Sequence, residues 1–376
     1  MKPDAGRVRD DESHAPDLRI ERTSAVTARV NGRDALWFAG CDYLGLAHHP
    51  DVIAALVTEA RAHGVSASAS PTTTGTSPAH VELETRLARF LGVEAALLVA
   101  DGYLSNLVAL QSFDDTLASA LVDRRSHVSV RDALRATNVP EREYDTAAEA
   151  RVLLAEGALR PCVLVTDGLF PAAKHIAPLD ALVPLLDVGL EALVVDDCHG
   201  LGVLGAHGRG TCEHFGVAHE RLVITGTLSK CLGAFGGFVA GSRARIASAR
   251  EHAIAWSGAT PIPPAIARAG IAALDVLERE PERRARLRSN IARLRAAFGR
   301  LGLPVSSFDN PVATVSLPSA AAMQRAHAAL LDAGLLVPFV HYPDGLGGYL
   351  RIALSAEHRP EHMAALEAGV TRVLRG

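Results

Sequence analysis

Residues 225–242 read TGTLSKCLGAFGGFVAGS, a lysine set among glycines, small residues and apolar residues. The 38 basic residues resolve into 35 arginines and three lysines, Lys2, Lys174 and Lys230, so the chain uses arginine for nearly all its positive charge. Arginine stays protonated in proteins, whereas a lysine amine can be desolvated, lose its proton and act as a nucleophile or Schiff base. Lys230 is therefore a candidate for amine chemistry, with an ordinary lysine in a glycine-rich loop as the plain alternative.

The runs on either side of Lys230, RLVITG (221–226) and GGFVAG (236–241), are short and apolar, as are ALLVAD, PCVLVTD (161–167) and LEALVVDD (190–197). Each is mostly apolar on both faces, which predicts a buried, mainly parallel sheet covered by helices. HVELETRLARFLG puts Leu83, Leu87, Phe90 and Leu91 on one helical face and stops at Gly92. GYLSNLVALQSF reads as the helix after ALLVAD. Beyond about residue 280 the texture changes to a basic helix, a strand at 311–317, a helix around 319–333 and YLRIALSAEH (349–358). That pattern predicts a smaller α+β domain, with Leu350, Ile352 and Leu354 on one face of its strand and Arg351 on the other. The expected organisation is an N-terminal segment (1–45), a large domain (46–280) and a small C-terminal domain (281–376).

Composition narrows the function. The chain has 376 residues, 48% of them hydrophobic, which is enough for a substantial core. A net charge of −4 and the absence of a lysine/arginine-rich tract leave no footprint for nucleic acid or an anionic membrane. The densest basic run, 281–300, alternates arginines with Leu287, Ile291, Leu294, Ala297 and Phe298 at helical spacing, as a solvated amphipathic helix does. Five scattered cysteines without a CxxC pair predict neither a zinc site nor a disulfide framework. The first thirty residues lack the apolar core of a signal peptide, and no apolar run reaches membrane-span length, so a cytoplasmic protein is expected.

In open α/β sheets ligands collect at the carboxyl ends of the strands. After ALLVA comes Asp101-Gly102-Tyr103 at a helix N-terminus, suited to a phosphate. After LEALVV comes Asp196-Asp197-Cys198-His199, and after RLVITG come Thr227 and Lys230. A phosphate cradle, a carboxylate, an imidazole and an amine at one sheet edge suggest pyridoxal 5′-phosphate (PLP), with the lysine as Schiff base and an aspartate on the pyridine nitrogen. A metal site built from Asp196, Asp197 and His199 is disfavoured, because consecutive strand residues point to opposite faces.

The stretches DYLGLAHHPDV (42–52), TGTSPAHVELETRLARFLG (74–92), GYLSN (102–106), VVDDCHGLGVLGAHGRG (194–210), GTLSKCLGAFGGFVAGS (226–242) and LRIALSAEH (350–358) resemble, in order, the α-oxoamine synthase family. The resemblance implies an α/β PLP-dependent transferase of fold type I, aspartate-aminotransferase-like. It also implies a homodimer with the active site at the subunit interface, condensing an amino acid with an acyl-CoA or an acyl carrier protein, usually with decarboxylation. Lys230 matches the lysine that carries the cofactor and removes the Cα proton. Asp196 matches the pyridinium partner, and His199 the histidine on the cofactor's phenolic oxygen. His127 matches the histidine that stacks on the ring and assists proton transfer. Thr227, with the amides of Gly102 and Tyr103, matches the phosphate site, which Thr260 would reach from the neighbouring subunit. Arg351 matches the arginine that holds the amino acid's carboxylate.

The pattern is broken near the substrate. Cys41 replaces an asparagine, Asp101 a serine, and Pro171 the hydroxyl that normally contacts the cofactor oxygen, while SPTTTG lacks a common arginine. SASASPTTTGT (66–76) is expected to be an ordered substrate-site loop. Asp101 is expected to turn away from the phosphate or to pair with an arginine. The competing readings are a lyase, aldolase or aminotransferase on the same fold, and a non-catalytic binding homologue.

Overall fold

The computed structural model describes residues 18–156, 160–340 and 348–375. Lys2 and the first seventeen residues, part of the signal-peptide reading, lie outside them. Seven strands form the central sheet: β1 (Ala95–Val99), β2 (Ser119–Asp123), β3 (Glu141–Tyr144), β4 (Cys162–Asp167), β5 (Ala192–Asp196), β6 (Leu222–Thr227) and β7 (Gly237–Gly241). Their spatial order is β1-β7-β6-β5-β4-β2-β3. Only β7 runs against its neighbours; every other pairing is parallel. Six strands therefore end at one edge.

The apolar runs explain the layers. Along the strands side chains alternate between faces. Leu98, Leu121, Leu164, Leu193, Ile224 and Phe238 enter one core, and Leu97, Val122, Val163, Val194, Val223 and Val239 the other. The first face carries α1 (Pro50–His63) and α2 (Pro78–Leu91), and the second carries α3 (Gly102–Gln111) and α4 (Val128–Ala136). α2 ends at Gly92, whose φ of 73° is open to glycine at little cost. The sequence reading passes over β2 and β3. β3, EREY, is an exposed edge strand whose polar residues carry no apolar alternation.

Further along the chain come α5 (Pro264–Arg279), which packs on α1 and α2, α6 (Pro281–Arg300) and α7 (Pro360–Arg375). In α6 all five apolar residues singled out above are buried, as expected of an amphipathic helix. Arg284 departs from that reading: it too is buried, with its guanidinium donating to the Leu277 carbonyl at 2.7 Å. The small sheet runs β8 (Val312–Val315), β10 (Tyr349–Ala353), β9 (Phe339–Val340), all antiparallel. The N-terminal strands join this part of the molecule, because Leu36 and Trp37 pair in parallel with Leu335 and Leu336. Among the described residues no helix is long and apolar enough to cross a membrane.

Candidate active site

The shared edge gathers most of the chemistry. β6 ends at Thr227, and the turn that follows brings the Lys230 Nζ to 2.9 Å from the Nε2 of His199, three residues beyond the end of β5. The other ring nitrogen, Nδ1, lies 2.7 Å from the hydroxyl of Tyr43. Burial, then the positive charge of Lys230, holds His199 well below the usual histidine range, so its ring is neutral. Burial likewise pushes the Tyr43 phenol well above its ordinary value, so it keeps its proton. Tyr43 follows Cys41-Asp42 in a segment the sequence reading quoted without giving the tyrosine a role.

Asp196 sits at the end of β5 in a closed polar network. Its Oδ2 accepts from the Asn106 side chain at 2.7 Å, and its Oδ1 accepts from the Cys198 amide at 3.1 Å. Asn106 also donates to Ser129 at 3.1 Å and accepts from the Thr225 hydroxyl at 2.7 Å. Ser129 in turn lies 2.9 Å from the Nδ1 of His127, which caps α4. Burial lowers the pKa of His127. Asp167, paired with Asp196 across β4 and β5, accepts from the His127 amide at 3.0 Å. Burial and then the neighbouring Asp196 charge raise Asp167 well above the carboxylate range. Asp197 points elsewhere, held by the amide and hydroxyl of Thr211, both at 2.6 Å.

The glycines test whether a phosphate-bearing cofactor fits. A Cβ on Gly102 would lie 2.6 Å from both Cβ and Oγ1 of Thr227, and one on Gly237 would lie 2.7 Å from the Gly102 Cα. The N-terminus of α3 is thus pressed by bare backbone against Thr227. The Thr227 hydroxyl lies 2.7 Å from that of Ser229. Two hydroxyls beside a helix N-terminus, and a lysine three residues on, suit a phosphate and an aldehyde. Asp101 is the exception. Among the described residues it pairs with no arginine; its Oδ1 accepts from the Tyr103 amide at 2.7 Å, so that amide, expected at the phosphate, is already engaged.

Arg351 comes to the same edge from β10. It donates to the Gly40 carbonyl at 2.9 Å and to the Cys41 sulfur at 3.4 Å. Leu350, Ile352 and Leu354 are buried on the opposite side, as the alternation predicts. Pro171 offers only its carbonyl, which accepts from Asn310 at 2.8 Å. Thr260 is not brought to the site within one chain: it is exposed in the loop before α5. The 66–76 loop is anchored through the Ser70 hydroxyl on the Ser257 carbonyl at 2.8 Å.

Five residues of the network were missed: Tyr43, Asn106, Ser129, Asp167 and Ser229. Two carried a readable signal. Asn106 stands four residues after Gly102, on the same face of α3, and Asp167 ends an apolar run at the edge already singled out. Nothing in its local sequence marks Tyr43.

Comparison with known proteins places the chain in a family. The aminotransferase class I and II family model matches residues 33–368. The 8-amino-7-oxononanoate synthase of Methylococcus capsulatus is 39% identical over 353 residues, 92% of this chain and 91% of that protein. A serine palmitoyltransferase solved with PLP aligns with a TM-score of 0.89 at 25% identity, covering 95% of this chain and 92% of that one. The 8-amino-7-oxononanoate synthase of Francisella tularensis aligns with a TM-score of 0.76 at 25% identity, covering 90% and 97%. With an amine, a neutral histidine and a buried aspartate at the edge of this sheet, and relatives collinear over nearly the whole chain, the protein belongs to the α-oxoamine synthase branch of the class I and II aminotransferases.

Proposed function

We propose that the protein is a PLP-dependent acyltransferase that condenses an amino acid with an acyl thioester, loses carbon dioxide and yields an α-amino ketone, as an 8-amino-7-oxononanoate synthase does. The observation that carries this is the Lys230 amine, 2.9 Å from a buried neutral His199 and at the same strand edge as Asp196. When bound, PLP supplies an electron sink for the charge left at the amino acid's Cα. Lys230 would hold the cofactor through Nζ, and its amine would be the base that takes the Cα proton. Asp196, held by Asn106, would keep the ring nitrogen protonated. His199, steadied by Tyr43, would hold the phenolic oxygen, and His127 would face the ring. Thr227, Ser229 and the Gly102 amide would hold the phosphate.

Arg351 holds the substrate carboxylate with its planar, permanently charged fork. The new bond joins Cα to the thioester carbonyl carbon as the carbon–sulfur bond breaks and the thiol leaves. Carbon dioxide then departs, and a proton returns to Cα with the help of His127. We take the working unit to be a homodimer in which Thr260 reaches the partner's phosphate site, and the compartment to be the cytoplasm, where its five free thiols stay reduced.

The test is free-thiol release by the PLP-loaded protein across a grid of amino acids and acyl-CoA chain lengths. Release that needs both substrates is expected, and Lys230→Ala should lose both turnover and the covalent cofactor link. Turnover that survives in Lys230→Ala sinks the proposal.

A further inference from the structure

The phosphate site contains a carboxylate of its own. Asp101 is the N-cap of a ten-residue helix, with extended backbone (φ −148°, ψ 148°), and its Oδ1 accepts the Tyr103 amide at 2.7 Å. It therefore takes one of the two amides a phosphate would use and sets a negative charge at the positive end of the helix dipole. No lysine or arginine pairs with it among the described residues. The wall behind is rigid: Gly102 is packed on Thr227 and Gly237 on Gly102, each too close to admit a Cβ. The helix end cannot retreat to open a second position for an anion.

We propose that Asp101 stands in for the cofactor's phosphate in the cofactor-free protein and competes with it, so that this chain holds PLP less tightly than its cradle allows. This rests on the PLP reading above. When phosphate enters, the Asp101 carboxylate gives up the Tyr103 amide and remains beside a second anion. The Thr227 and Ser229 hydroxyls and the Gly102 amide then hold the phosphate against that repulsion. A charge-neutral cap removes the repulsion and keeps the helix end, because asparagine caps as well as aspartate.

The test is equilibrium binding to the apoprotein of PLP and, separately, of pyridoxal, which lacks the phosphate, measured by cofactor absorbance for wild type, Asp101→Asn and Asp101→Ser. Asp101→Asn should bind PLP about tenfold tighter, the range expected for a unit charge at a helix end, with pyridoxal affinity changed by less than about twofold. Asp101→Ser should shift the same way. The Asp101→Asn apoprotein should melt no more than about 3 °C below wild type, the loss expected when one charge leaves a helix N-terminus, so that tighter PLP binding cannot come from a better-folded apoprotein. Unchanged or weaker PLP binding in Asp101→Asn, or an equal gain for pyridoxal, overturns the competition. Failure of every form to bind PLP overturns the cofactor reading itself.

Discussion

At the residue scale the tightest coupling runs from Tyr43 through His199 to Lys230. A neutral imidazole carries one hydrogen, so the partner on one nitrogen decides what the other can do. With the charged Lys230 amine donating to Nε2, the ring hydrogen sits on Nδ1, facing the Tyr43 oxygen, and Nε2 faces the amine and the place where the cofactor oxygen belongs. Pro171 offers no hydroxyl there, which puts more weight on this histidine. Tyr43 is fully buried, so its hydroxyl has no water to replace the bond to His199. Tyr43→Phe leaves Nδ1 unsatisfied and the tautomer unfixed, a loss of about 1–2 kcal/mol. We expect turnover to fall about tenfold, and the pH at which the bound cofactor's absorbance changes to shift, with the protein still folded. Steady-state thiol release and a spectral titration check this; unaltered values in both would remove Tyr43 from the site.

At the element scale the position of Arg351 depends on the turn that ends β10. His358 locks this turn: its Nδ1 accepts from the Ser355 amide at 2.9 Å, its Nε2 lies 3.0 Å from the Trp37 carbonyl, and its ring stacks on Phe38 at 4.2 Å. The side chain of Asn290 in α6 donates to the Ser355 and His358 carbonyls. Burial lowers the His358 pKa to about 4. The sign follows from proton counts. Between about pH 4 and 6.5 the unfolded chain protonates this histidine and the native one does not, so stability rises with pH. The contribution is complete above about 6.5 and is lost as the pH falls toward 4, at most about 3 kcal/mol over that window. His358→Gln should flatten the dependence of stability on pH below 6.5 by up to one proton. Denaturant unfolding at several pH values measures that slope, and an unchanged slope would place the titration elsewhere.

For the whole molecule the question is what completes the site. Thr260 is exposed, and so are large apolar residues such as Val65, at 77%, and Ile254, at 74%. Apolar side chains left this open on one chain are covered at low cost by a second copy. We expect sedimentation equilibrium to report two chains of 39.6 kDa, about 79 kDa together. A monomer that still binds PLP and turns over would show that each chain is complete alone.

Legibility followed the range of the forces. Five strands of the buried sheet, β1, β4, β5, β6 and β7, could be read because each is a continuous apolar run, and α2 and α6 because their apolar residues recur at helical spacing. Lys230, Asp196, His199 and Thr227 could be read because each lies within a few residues of a strand's end, where topology alone places ligands. Arg351 was readable from a two-residue alternation. Other features had no local cause. β3 is a polar edge strand held by its partner's backbone, and Arg284 is buried by packing that its helical pattern does not report. Tyr43 meets His199 across 156 residues of chain, and Asn106 meets Asp196 across 90. The engagement of the Tyr103 amide by Asp101 is a choice among rotamers of a single side chain. The sequence by itself thus determined the elements, their edge and the chemistry placed on it, because propensity and periodicity act locally. Only the tertiary structure decided which polar groups satisfy one another inside that edge, because buried hydrogen bonds are assigned among whatever neighbours the fold brings together.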